Sequence, residues 1–224
     1  GATGPVGPQG PIGPANSVLQ PGELYGLQST NNAATPLSKV DIVAGRCRSD
    51  DDTFDIIVPS TLTADITISG ANGLDTGVEA GITFYAIWVI ADSTSVLPVA
   101  SLFSTSGTTP TMPVGYDKKR RVGWVNNDGA SNFRLFTMRG NSLDRVVRYE
   151  NLTLADVTAL SNGTAVGFTN VNLSNFTPPG VYVARMLVVL NRIGVLAGQN
   201  GARFRPDDSI VATPIWFIPI GNGD

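Results

Sequence analysis

The sequence predicts an all-β protein: a jelly-roll-like β-sandwich head on an N-terminal collagen-like triple-helical stalk, assembled as a homotrimer. Three observations predict it. Glycine recurs at every third position through residues 1–15. From residue 39 onward, short runs of β-branched and aromatic residues are separated by turn clusters every ~8–12 positions, the pattern of sandwiches and barrels. No repeat of ~20–50 residues suggests a β-helix or propeller, and only 152–160 offers a helical reading, which its Thr and Val content weakens.

The stalk comes first. Gly1, Gly4, Gly7, Gly10 and Gly13 open five consecutive Gly-X-Y triplets, with Pro at X in four of them. Three polyproline II strands meet at an axis with no room for a Cβ, so glycine is obligatory there. Proline pre-sets φ and lowers the cost of ordering. The Y positions hold Thr3, Val6, Gln9, Ile12 and Ala15, so hydroxyproline is not the stabiliser. At a rise of ~3.1 Å per residue the stalk would be about 45 Å long. So short a helix cannot hold three chains together alone, and the head is expected to carry the trimer.

Residues 16–38 read as a neck, rich in Asn, Ser, Thr, Pro and Gly around Val18, Leu19, Leu24, Tyr25 and Leu27. Residues 39–224 read as the head. Strands are expected at 54–58, stopped by Pro59, and at 65–69, which alternates and ends at Gly70. A central strand is expected at 82–90, followed by strands at 97–103, 122–125, 133–138, 165–170, 181–190 and 215–220. The 82–90 run is apolar apart from Thr83 and the Tyr85 hydroxyl, so neither face suits water. Phe84, Ala86, Trp88 and Ile90 are expected inside the sandwich. Tyr85, Ile87 and Val89, with Thr83, are expected to be covered by the second sheet, the neck or a neighbouring subunit, the neck or subunit being preferred because a trimer needs an apolar contact surface.

Composition removes much chemistry. The chain has no histidine and one cysteine, Cys47, so imidazole bases, His-dependent triads, thiolate zinc sites and intrachain disulfides are excluded. Cys47 is expected to be free and buried in a strand. The net charge of −3 gives no global field for nucleic acid. Residues 1–100 carry ten acidic and three basic side chains, the remainder eight and twelve. No apolar run approaches the ~18 residues of a membrane span, so no membrane insertion is expected.

The remaining candidates each have a plain reading. Asp50, Asp51 and Asp52 could offer oxygens to Ca²⁺, but adjacent residues on an extended chain diverge, and a solvated turn is expected. The basic run 118–121 suits a hairpin or a subunit salt bridge better than an anion site. Paired carboxylates could hydrolyse a glycoside without histidine, yet nothing selects a pair, and Glu79 and Glu150 serve as well as any. Four Asn-X-Ser/Thr triplets, at Asn151, Asn162, Asn172 and Asn175, are read as composition. Tyr116, in a turn at 113–117, is the ligand candidate for sugar stacking. No catalytic residue, metal or cofactor is expected.

The stretches 73–77 (GLDTG), 83–90 (TFYAIWVI) and 102–123 (LFSTSGTTPTMPVGYDKKRRVG) together resemble a β-structured module common in tailed-bacteriophage and prophage fibre proteins. The turn and strand at 178–183 (PPGVYV) resemble its later part. Asn72 replaces the first glycine of the module's turn, and Ala86 stands where a histidine is common. The likeness covers about two-thirds of the chain and leaves out 191–224. It implies a structural fibre or spike on a virion, and the module brings no catalytic residues. The expected partners are two further copies, other virion proteins on the N-terminal side, and a host-surface glycan or protein. Two alternatives are a secreted collagen-plus-jelly-roll recognition protein, which would usually show Y-position prolines, and a carboxylate-based polysaccharide hydrolase.

Overall fold

The computed structural model describes residues 19–140, 145–150 and 174–179, and the backbone of 202–204 and 215–217. The chain divides into two compact units, residues 1–151 and 152–224. The described residues are all-β, with no helix. The stalk glycines Gly1, Gly4, Gly7, Gly10 and Gly13 lie outside them, as do the expected strands 165–170 and 181–190 and the ambiguous 152–160.

In chain order the first unit contains β1 (Leu24–Gly26), β2 (Ser29–Asn31), β3 (Lys39–Ile42), β4 (Gly45–Arg48), β5 (Asp55–Val58), β6 (Leu62–Asp65), β7 (Gly73–Leu74), β8 (Phe84–Ala91), β9 (Ala100–Ser104), β10 (Lys118–Asn126), β11 (Phe136–Arg139) and β12 (Val146–Tyr149). They form a three-stranded sheet β1-β4-β5, a four-stranded sheet β10-β8-β9-β7 and a five-stranded sheet β12-β11-β2-β3-β6. All pairings are antiparallel except β7 with β9. In the second unit, β13 (Ala202–Phe204) pairs antiparallel with β14 (Ile215–Phe217).

Residues 24–31, expected as neck, supply two of these strands. β2 lies between β11 and β3, inside the five-stranded sheet. The first unit therefore needs residues well before Lys39, and the boundary read from composition falls too late. Three-residue strands such as Ser29–Asn31 carry no apolar signature, because their backbone pairing rather than their side chains places them.

β8 is buried along its whole length, as a strand flanked by β10 and β9 and covered on both faces. It begins two residues later than expected. Ile82 takes φ 52°, a region costly for a β-branched residue, and is 61% exposed. Tyr85, Ile87 and Val89 face a core shared by all three sheets, with Leu24, Leu27, Val40, Ile42, Cys47, Ile56 and Val58 among its members. Ile87 and Val89 are fully buried within one chain, so they are not a subunit contact. Their cover is the chain's other two sheets, including Leu24 and Leu27 from the segment expected as neck. On the opposite face Phe84, Ala86, Trp88 and Ile90 form a second cluster with Ala100, Leu102 and Trp124.

Two other expectations shift for local reasons. The alternating 65–69 segment is a turn that follows β6. Asp65 Oδ1 accepts from the Thr67 amide at 3.0 Å and the Thr67 hydroxyl at 2.6 Å, bending the chain where a strand would continue. In 97–103 the strand begins only at Ala100. Preceding it, Pro98 lacks an amide donor, and the loop is organised around Asp92.

Candidate functional site

The acidic triplet and the basic run, 67 positions apart for one of their pairs, meet each other. The turn between β4 and β5 carries Asp50, Asp51 and Asp52, and β10 begins with Lys118. Lys118 Nζ donates to Asp51 Oδ2 at 2.7 Å and to Thr53 Oγ1 at 2.8 Å. Arg120 lies 3.8 Å from Asp50, and the Asp50 amide donates to the Lys119 carbonyl at 2.9 Å. Asp51 also accepts from Ser49 Oγ, the Thr53 amide and Thr53 Oγ1. Donation from Lys118, then from Ser49 and Thr53, holds its carboxyl well below the usual range. Burial pushes Asp50 the other way, opposed by Arg120.

The three aspartates thus point at three different partners, and Asp52 Oδ1 accepts from the Gly22 amide at 2.8 Å. Among the described residues no group of three or more Cys, Asp or Glu side chains converges as ligands to a cation would. Of the remaining basic pair, Arg121 sits over the Trp124 ring at 5.3 Å and donates to the Gly107 carbonyl. Alternation along β10 separates the run, as a strand requires. Exposed pairs of this kind contribute only ~0.2–1 kcal/mol each, so their effect is to fix geometry.

That geometry holds the start of the described chain. Leu19 is buried, and its amide donates to Asp55 Oδ2 at 3.2 Å. Asp55 is itself paired with Arg48 at 2.7 Å. Arg48 also donates twice to the Asp52 carbonyl, at 3.0 and 2.6 Å. The Gly22 carbonyl accepts from Arg120 at 2.9 Å. Residues 19–22 are therefore clamped by the acidic turn and the basic strand together. Sequence reading found both runs but not their pairing, nor the Gly22 link.

Tyr116 is half-buried against the second cluster, and its hydroxyl donates to the Pro98 carbonyl at 2.9 Å. Its polar end ties the 113–117 turn to the loop after β8. Tyr85 is buried, with its phenolic oxygen accepting from the Ala80 amide at 2.7 Å. Burial raises the Tyr85 phenol above its ordinary range. A shallow recess of about 380 Å³ lies along 66–79, lined by Ile66, Ile68, Leu74 and Val78. Its one carboxylate, Glu79, accepts from Asn127 Nδ2 at 2.7 Å.

No protein-family model matches the chain, and no curated protein or solved structure matches it.

Proposed function

We propose that the chain is a homotrimeric structural fibre or spike component of a bacteriophage particle. A collagen-like stalk projects a β-sandwich head for attachment to the host surface or decoration of the virion. The observation that carries this reading is the run of five Gly-X-Y triplets ending four residues before Leu19. Such a run has a physical purpose only if three chains share it. Support comes from the all-β unit that follows and from the clamp on residues 19–22, which gives an attached stalk a fixed point of departure. Three heads on one stalk convert weak contacts into avidity without new chemistry.

The test is direct visualisation. Antibody raised against residues 19–150 should label purified phage particles at a projecting fibre, on capsid or tail. Particles that stay unlabelled, with the protein detected only free in the culture medium, would overturn the assignment in favour of a secreted recognition protein.

A further inference from the structure

The outward face of the three-stranded sheet has two short rows of side chains. In β1, β4 and β5 the register sets Leu24 beside Cys47 and Cys47 beside Ile56, all buried. The alternate positions face outward: Tyr25 beside Arg46, and Arg46 beside Ile57. Tyr25 is 46% and Ile57 60% exposed, and the Arg46 guanidinium lies 5.2 Å from the centre of the Tyr25 ring. One step along the strands, on the same face, Arg48 pairs with Asp55. Asp55 is also the group that receives the Leu19 amide. The described chain therefore begins on this face.

From these positions we infer that the Tyr25–Arg46–Ile57 face is the contact between copies of this chain around a threefold axis. The inference rests on the trimeric stalk proposed above. Three residues, Asn16, Ser17 and Val18, separate Ala15, the last of the triplets, from Leu19, and the four extended steps from Ala15 to Leu19 reach at most ~14 Å. A triple helix brings its three strands together at one axis. Each copy of Leu19 must then lie close to that axis, and the face on which Leu19 is anchored is the one turned toward its counterparts. Its composition suits the task, since an aromatic ring, an arginine stacked on it and a branched aliphatic are the residue types that anchor protein interfaces. Elsewhere the most exposed apolar residues, Val78, Val96 and Val114, sit in turns and loops, and Val146 stands on the edge strand β12, whereas the Leu19 amide is bonded to Asp55 on the Tyr25–Arg46–Ile57 face.

The experiment measures the mass of the full chain by sedimentation velocity, as wild type and as Ile57→Glu, Tyr25→Glu and the control Val114→Glu. The wild type and the control should be trimers, and either face variant should shift to monomer, losing the polyproline-type dichroism of the stalk and keeping the β-sheet far-ultraviolet spectrum of the folded head. Because an unfolded variant would lose that spectrum, Ile57→Cys treated with a short bis-maleimide gives a second readout, expected as covalent dimers between chains. A trimeric wild type whose face variants also remain trimeric, with cross-links absent or confined within one chain, would overturn this face and leave the trimer standing. A monomeric wild type would overturn the trimer and this face with it.

Discussion

The Asp92 carboxylate accepts from the Thr94 hydroxyl and amide and from the amides of Leu97 and Val96, and these bonds hold its acid form at about 2, against an ordinary 3.8. A folded-state value below the unfolded one means stabilisation that is complete above about pH 4 and lost as pH falls toward about 2. Asp92→Asn should therefore lower the melting temperature at pH 7 and flatten its fall between pH 4 and 2, as read by calorimetry across that interval. Cys47 shows the opposite influence. Full burial pushes its thiol up to about 12, so the thiolate needed for reaction is scarce and shielded. A disulfide reagent should find no reactive Cys47 thiol in the native chain and one in denaturant. The burial of Cys47 was legible, since a free cysteine behaves as a small hydrophobe and alternation along a strand turns it away from its neighbours Arg46 and Arg48. The role of Asp92 was not, because four donors reach it only once the 93–97 loop has closed around it.

β8 was the strand most plainly written in the sequence, and its two covered faces follow from eight consecutive residues with almost no polar side chain. What covered the second face was not legible. A continuous apolar run says that both sides are dry and nothing about whether the cover belongs to the same chain. Ile87 sits at 0% exposure in the core shared by three sheets, so Ile87→Ala should cost ~2–5 kcal/mol in denaturant unfolding. Ile87→Asp should unfold the first unit outright instead of merely separating subunits. The paired acidic and basic runs carry the same lesson. Each was visible as a charge cluster, but their meeting depends on a turn after β4 lying beside the start of β10. Local sequence holds no record of a contact across that distance.

The composition boundary at residue 39 would have placed β1 and β2 in a dispensable neck. A chain starting at Lys39 lacks Leu24, Leu27 and the strand between β11 and β3, and it should fail to fold, giving no cooperative melting transition. A chain starting at Asn16 keeps every described strand and should melt as the full chain does, apart from any contribution of the stalk. In the proposed triple helix, Gly7→Ala or Gly10→Ala would put a methyl group from each of three strands at the crowded axis. Either change should abolish the polyproline-type dichroism of the stalk and leave the head transition in place. Stalk signals unchanged in both variants would remove the triple helix from the protein's architecture.

The clamp on residues 19–22 also decides how the protein would answer a pull. Tension applied ahead of Leu19 first meets the bonds to Asp55, Asp52 and Arg120, which come from one turn and from two strands, β5 and β10, distant in sequence. Beyond them lies β1, laid antiparallel along β4. A force directed along β1 must slide it past its neighbour and break its ladder together, in shear, where a force across the strand would peel the bonds one at a time. Arg48, Asp52, Asp55 and Arg120 thus act as a mechanical anchor, spreading load from one thread of backbone into two sheets before any strand begins to yield.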